Sequence, residues 1–155
     1  MIVLDANLLL YAYTADCPEH VRARHRLEDL FASAEWIGLP WLTLWAFLRI
    51  SNNPRLFPRP LAAHEAFGIL HHWLALPRVV AVQPGPRHTE ILEKFVTENR
   101  ASGALVTDAA LAALTFEHGA ELRRVEILVA FQPFGLPQPL AEKDRLVDVT
   151  GEVAA

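Results

Sequence analysis

Short apolar runs alternate with longer amphipathic stretches along most of this chain, and that alternation restricts its fold more than any other feature. Residues 2–4 (IVL), 36–39 (WIGL), 79–82 (VVAV) and 104–106 (ALV) are continuous apolar runs of three or four residues. Runs of this kind read as short strands buried on both faces of a parallel sheet. Between them, residues 6–13, 18–33, 41–50, 61–75, 87–100 and 108–118 read as helices. The order predicts an α/β sandwich around a mostly parallel sheet.

The helix ends carry their own signals. Asp5 opens the first helix, Pro40 starts the third, and Gly119 closes the last at the usual position after the final turn. In 18–33, Val21, His25, Leu27, Leu30 and Phe31 can share an inward face. In 87–100, Ile91, Leu92, Phe95 and Val96 do the same. "SNNPRLFPRP", with three prolines and two asparagines, is a loop, and "QPGP" is a break.

A chain of 155 residues, 52% hydrophobic and 21% charged, fits one globular domain. The domain is expected over 1–140, with 141–155 a loose polar tail. The formal net charge of -4 gives no general attraction for nucleic acid, so such a partner needs a local basic patch or a metal. Cys17 is the only cysteine, so no internal disulfide forms, and no activating base for it is evident. No basic leader and no membrane-length apolar run is present, so a cytoplasmic protein is expected.

Two segments share one grammar. "IVLDANLLLYAY" and "GALVTDAALAALTFEHGA" each run from an apolar strand through an acid into an apolar helix. Asp5 and Asp108 would then sit at the carboxyl ends of strands, where open parallel sheets bind ligands. Helix capping is the plain alternative for either acid, worth about 1 kcal/mol. If the strands are neighbours, however, the carboxylates converge, and two anions about 4 Å apart repel by about 4 kcal/mol at an effective dielectric near 20. A proton or a cation must relieve that repulsion. Mg²⁺ suits carboxylate oxygens and keeps several waters, and it can serve phosphodiester hydrolysis.

These two segments, with "LPWLTLWAFLRISNNPRLFPRPL" between them, resemble the PIN-domain ribonucleases, specifically the VapC-type toxins of toxin–antitoxin pairs. The similarity covers about residues 1–122. It implies a PIN-like three-layer α/β/α sandwich with a mostly parallel sheet of four or five strands. It also implies Mg²⁺- or Mn²⁺-dependent endonucleolytic cleavage of RNA, a small VapB-type antitoxin as partner, and a homodimer. By the same resemblance Asp5 matches the first metal-binding acid and Asp108 the acid of the late helix. Asn7 matches a supporting position two residues on from Asp5, and Thr107, beside Asp108, is a candidate hydrogen-bonding support.

The chain departs from the family in two places. A Glu common in the third helix is Ala46 here, and the Asp-containing turn after the last strand is replaced by "RRVEILVAFQPFGLPQPL". The strand is expected at 125–129, with Glu126 as a substitute supporting acid. So abrupt a loss is what a shifted reading frame produces. The alternative reading is a catalytically weakened PIN-fold module that still binds an antitoxin. A phosphoryl transferase using Asp5 as nucleophile ranks lower, because Asn7 stands where it needs a second acid.

Other side chains have plainer readings. His71 and His72 are adjacent, so on a helix they point about 100° apart and do not share an ion. His118 suits a helix C-terminus. Trp41 and Trp45 read first as core, with a stripe wide enough to serve a dimer or antitoxin interface as well. Arg49, Arg55 and Arg59 are candidate phosphate contacts along an RNA path.

Overall fold

A computed structural model describes residues 1–123. The predicted strand at 125–129, Glu126 and the domain end near 140 lie outside the described residues. Four strands, β1 (Ile2–Leu4), β2 (Ile37–Pro40), β3 (Val79–Val82) and β4 (Glu121–Arg123), alternate with six helices. The helices are α1 (Ala6–Tyr13), α2 (His20–Ala32), α3 (Trp41–Ser51), α4 (Ala63–Leu74), α5 (His88–Glu98) and α6 (Ala104–Glu117).

All strands are parallel, in the order β3-β2-β1-β4. The first two crossovers step one way across the sheet, and the third steps back past β1. Right-handed crossovers therefore put α1 to α4 on one face and α5 and α6 on the other. The packing agrees: α1 lies on α2 and α3, α3 on α4, and α5 on α6. This is the three-layer sandwich expected from the sequence.

The core sits between the sheet and the first helical layer. Leu4, Leu9, Leu39, Leu44, Phe47 and Trp73 are fully buried. Phe47 and Trp73 meet edge to face at 4.8 Å, and Tyr13 meets Trp73 at 5.3 Å. Such aromatic pairs add about 0.5–1.5 kcal/mol beyond the area they bury. Gly38 lets β2 sit tightly between its neighbours. A Cβ there would lie 2.8 Å from Val82 Cγ2 and 3.3 Å from Val3 Cγ2.

The structure corrects several expectations. Residues 104–106 are the first turn of α6, not a strand. Gly103 precedes them at φ +57°, a left-handed conformation that breaks the chain just before the helix. A three-residue apolar run carries no period of its own, so its neighbours decide. The fourth strand lies instead at Glu121–Arg123, paired with β1. On α2 the buried positions are Ala23, Leu27 and Leu30, while Val21 and His25 are exposed. Trp36 is exposed ahead of β2, and Pro40 is the N-cap of α3 rather than its first residue.

Candidate functional site

In this strand order the chain reverses its direction of travel between β1 and β4. In open parallel sheets such a reversal, at the carboxyl ends of the strands, is where ligands bind. Asp5 follows β1 directly and is half-buried. Its backbone N–H donates to the Arg123 carbonyl at 3.2 Å, so it stands at the β1–β4 seam itself.

Two further contacts hold this backbone. Thr43, buried in the first turn of α3, donates its hydroxyl to the Leu4 carbonyl at 2.9 Å. The β1–β2 register pairs Ile2 with Ile37 and Val3 with Gly38. Continued by two residues, it sets Asp5 level with Pro40. Thr43 is a positioning residue that sequence reading missed. Its only signal was a hydroxyl amid the apolar residues of "WLTLWAFL".

Asp108 reaches the same edge by another route. α6 ends at Glu117, and the chain re-enters the sheet at Glu121, whose N–H donates to the Met1 carbonyl at 3.0 Å. The helix therefore runs from the carboxyl edge of the sheet to the amino edge. Asp108 lies nine residues before Glu117, about 13 Å along the axis at 1.5 Å per residue. A three-residue strand spans about 10 Å. Asp108 is thus level with the carboxyl edge, half-buried, with exposed Thr107 beside it. Of the two acids, only Asp5 follows a strand; Asp108 is carried inside the first half of α6.

Neither acid caps a helix. Asp5 has the extended backbone of an N-cap, φ -80° and ψ 151°, but its side chain makes no capping hydrogen bond. Asp108 is the fifth residue of α6, beyond the reach of any cap.

The other sequence candidates spread out. Asn7 is exposed on the first turn of α1. Arg49, Arg55 and Arg59 are exposed on and beyond α3, and Arg59 is paired with Asp16 at 2.7 Å. Ala46 is half-buried on α3. Trp41 and Trp45 are 36% and 62% exposed, so they are not core. His71 and His72 are exposed on α4. Burial, then the nearby acids Glu19 and Asp16, push the Cys17 thiol up, which opposes a nucleophilic role. Among the described residues no three His, Cys, Asp or Glu side chains cluster as a metal cage. Two carboxylates suffice for Mg²⁺, which keeps most of its waters, so hard oxygen donors at this edge fit that ion.

A third carboxylate has a structural task. Glu117 accepts the N–H groups of Gly85 at 2.9 Å and Arg87 at 3.0 Å, joining the end of α6 to the start of α5. His88 Nδ1 lies 3.5 Å from it. Partial burial raises the Glu117 carboxyl, but the two N–H donors, with His88 and His118, outweigh this and hold it below the usual range. His118 Nε2 also meets the Gln83 carbonyl at 2.9 Å.

A four-stranded parallel sheet with an acid at its switch point is the PIN fold, and solved structures agree. The VapC20 toxin of Mycobacterium tuberculosis, described as cleaving the sarcin-ricin loop, matches with a TM-score of 0.56 at 16% identity, over 77% of this chain and 85% of that one. VapBC2 of Rickettsia felis, bound to a promoter DNA fragment, also gives 0.56, at 18% identity over 79% and 86%. Sequence comparison narrows the class. Ribonuclease VapC37 of M. tuberculosis is 38% identical over 122 residues, 79% of this chain and 85% of the relative. Ribonuclease VapC31 is 39% identical over 118 residues, 76% and 83%. The chain belongs to the VapC ribonuclease family. No family model matches it.

Proposed function

We propose that this VapC-family endoribonuclease toxin cuts RNA with a divalent cation, Mg²⁺ or Mn²⁺, held by Asp5 and Asp108. Two facts support the reading: Asp5 follows β1 at the β1–β4 seam without a capping hydrogen bond, and Asp108 lies too deep in α6 to cap it. A bound cation supplies Lewis acidity at the scissile phosphate. The protein's own part is to fix the donors. The Thr43 hydroxyl and the Arg123 carbonyl hold the backbone on either side of the Leu4–Asp5 peptide, and α6 carries Asp108 as a rigid element. Without a cation, the carboxylates repel each other and the phosphate alike.

The partner in this reading is a VapB-type antitoxin whose Arg or Lys side chain occupies the acidic edge. The working form is a homodimer in the cytoplasm. Among the described residues no helix is long and apolar enough to cross a membrane. Incubating the purified chain with RNA, in Mg²⁺ or Mn²⁺ and then in excess chelator, tests the chemistry. Cleavage that requires the added metal is expected, and equal cleavage in chelator contradicts it. Co-expression with a VapB-type antitoxin tests the partner, by co-purification and loss of toxicity.

A further inference from the structure

Beside the acidic edge lies an aromatic stripe that the fold does not use. Trp41 and Trp45 occupy the outer side of α3, 36% and 62% exposed, with ring centroids 6.1 Å apart and planes tilted by 39°. The buried side of the same helix is Thr43, Leu44, Phe47 and Ser51. Arg49 continues the stripe at the next i+4 position. It is exposed and forms no ion pair among the described residues.

The stripe begins close to Asp5. Pro40 is level with Asp5 on the adjacent strand, about 5 Å away. Trp41 is the next residue, about 3.8 Å further along the backbone. The Thr43–Leu4 hydrogen bond fixes that proximity.

A chain with net charge -4 and an acidic centre attracts phosphate weakly. Contacts that charge does not govern then add to the affinity for a single strand that local cations and a metal supply. Base stacking on aromatic side chains is such a contact, and it tolerates any sequence because every base has a π-face. We infer that Trp41 and Trp45 stack unpaired bases of the RNA next to the scissile phosphate, while Arg49 takes a backbone phosphate further along. The platform selects single-stranded over paired RNA, because bases in a duplex offer no free face. The inference rests on the ribonuclease reading.

The test uses the full chain with a labelled unstructured 12-nucleotide RNA and its perfect duplex. Trp45→Leu keeps an apolar side chain and loses the ring, and Trp45→Phe keeps a ring. Trp45→Leu is expected to raise KM for the single strand about 5- to 100-fold, the effect of losing one stacked base. The kcat should stay within about two-fold, because the ring does not touch the reacting atoms. Trp45→Phe should recover most of the loss, and Arg49→Gln should reduce the salt dependence of binding. Unchanged KM in both Trp45→Leu and Trp41→Leu, with cleavage intact, overturns the platform and leaves the ribonuclease reading standing. So does loss of a dimer or of antitoxin binding in those variants with RNA affinity unchanged, since the stripe is then a protein interface. A wild type that neither binds nor cuts the single strand overturns both.

Discussion

The hydroxyl of Thr43 donates to the carbonyl oxygen of Leu4 at 2.9 Å, clamping the start of α3 to the peptide that leads into Asp5. Both residues are buried, so the bond is protected from water. Thr43→Val keeps the shape and removes the donor. It should cost about 1–3 kcal/mol in denaturant unfolding, the range for a buried group left unpaired. Cleavage should fall as Asp5 loses its fixed backbone. Thr43→Ser, which restores the hydroxyl, should recover activity. Equal activity of the Val and Ser variants would remove Thr43 from its positioning role.

Much of this arrangement was legible in the sequence. Residues 2–4 and 79–82 had the continuous apolar character of buried parallel strands, and Asp5 stood at the right seam. What failed had physical causes. The run at 104–106 is too short to show a period, and the Ser102-Gly103 break before it was the overlooked sign of a helix start. β4 was hidden because charged Glu121 and Arg123 flank its single apolar residue, and among the described residues it pairs with β1 alone. Trp41 and Trp45 looked like core because indoles are apolar, yet the opposite side of α3 carries the packing. Where Asp108 lies relative to Asp5 depends on the course of α6, which no local pattern encodes.

Glu117 gives a pH signature. Its folded carboxyl titrates below the ordinary value of 4.5. The stabilisation is therefore complete above that ordinary value and is lost as the pH falls through the lowered one. Glu117→Gln should lower the melting temperature at pH 7. The gap to wild type should narrow as the pH falls below that ordinary value and close once the pH has passed the lowered one. Melting curves across that range check it, and a constant gap would contradict the shifted titration.

Gly38→Ala should destabilise without touching the site. The new methyl meets Val82 and Val3 from the two flanking strands, together with Met1 Sδ. Overpacking of this kind costs about 1–3 kcal/mol. Denaturant unfolding should show that loss, with cleavage per folded molecule retained. A neutral effect would mean that the strands part easily at this point.

The shared cation is tested most directly by titrating Mn²⁺ into the wild type, Asp5→Asn and Asp108→Asn, with RNA cleavage and melting curves measured on the same samples. Asn keeps the side-chain shape and removes one negative charge. If both acids hold one ion, each substitution should weaken Mn²⁺ binding and cleavage together, by about ten-fold or more for the loss of one charged ligand. The metal-free melting temperature should hold or rise as the repulsion between carboxylates is relieved. Asp108→Asn with wild-type Mn²⁺ affinity and full cleavage would contradict the shared site.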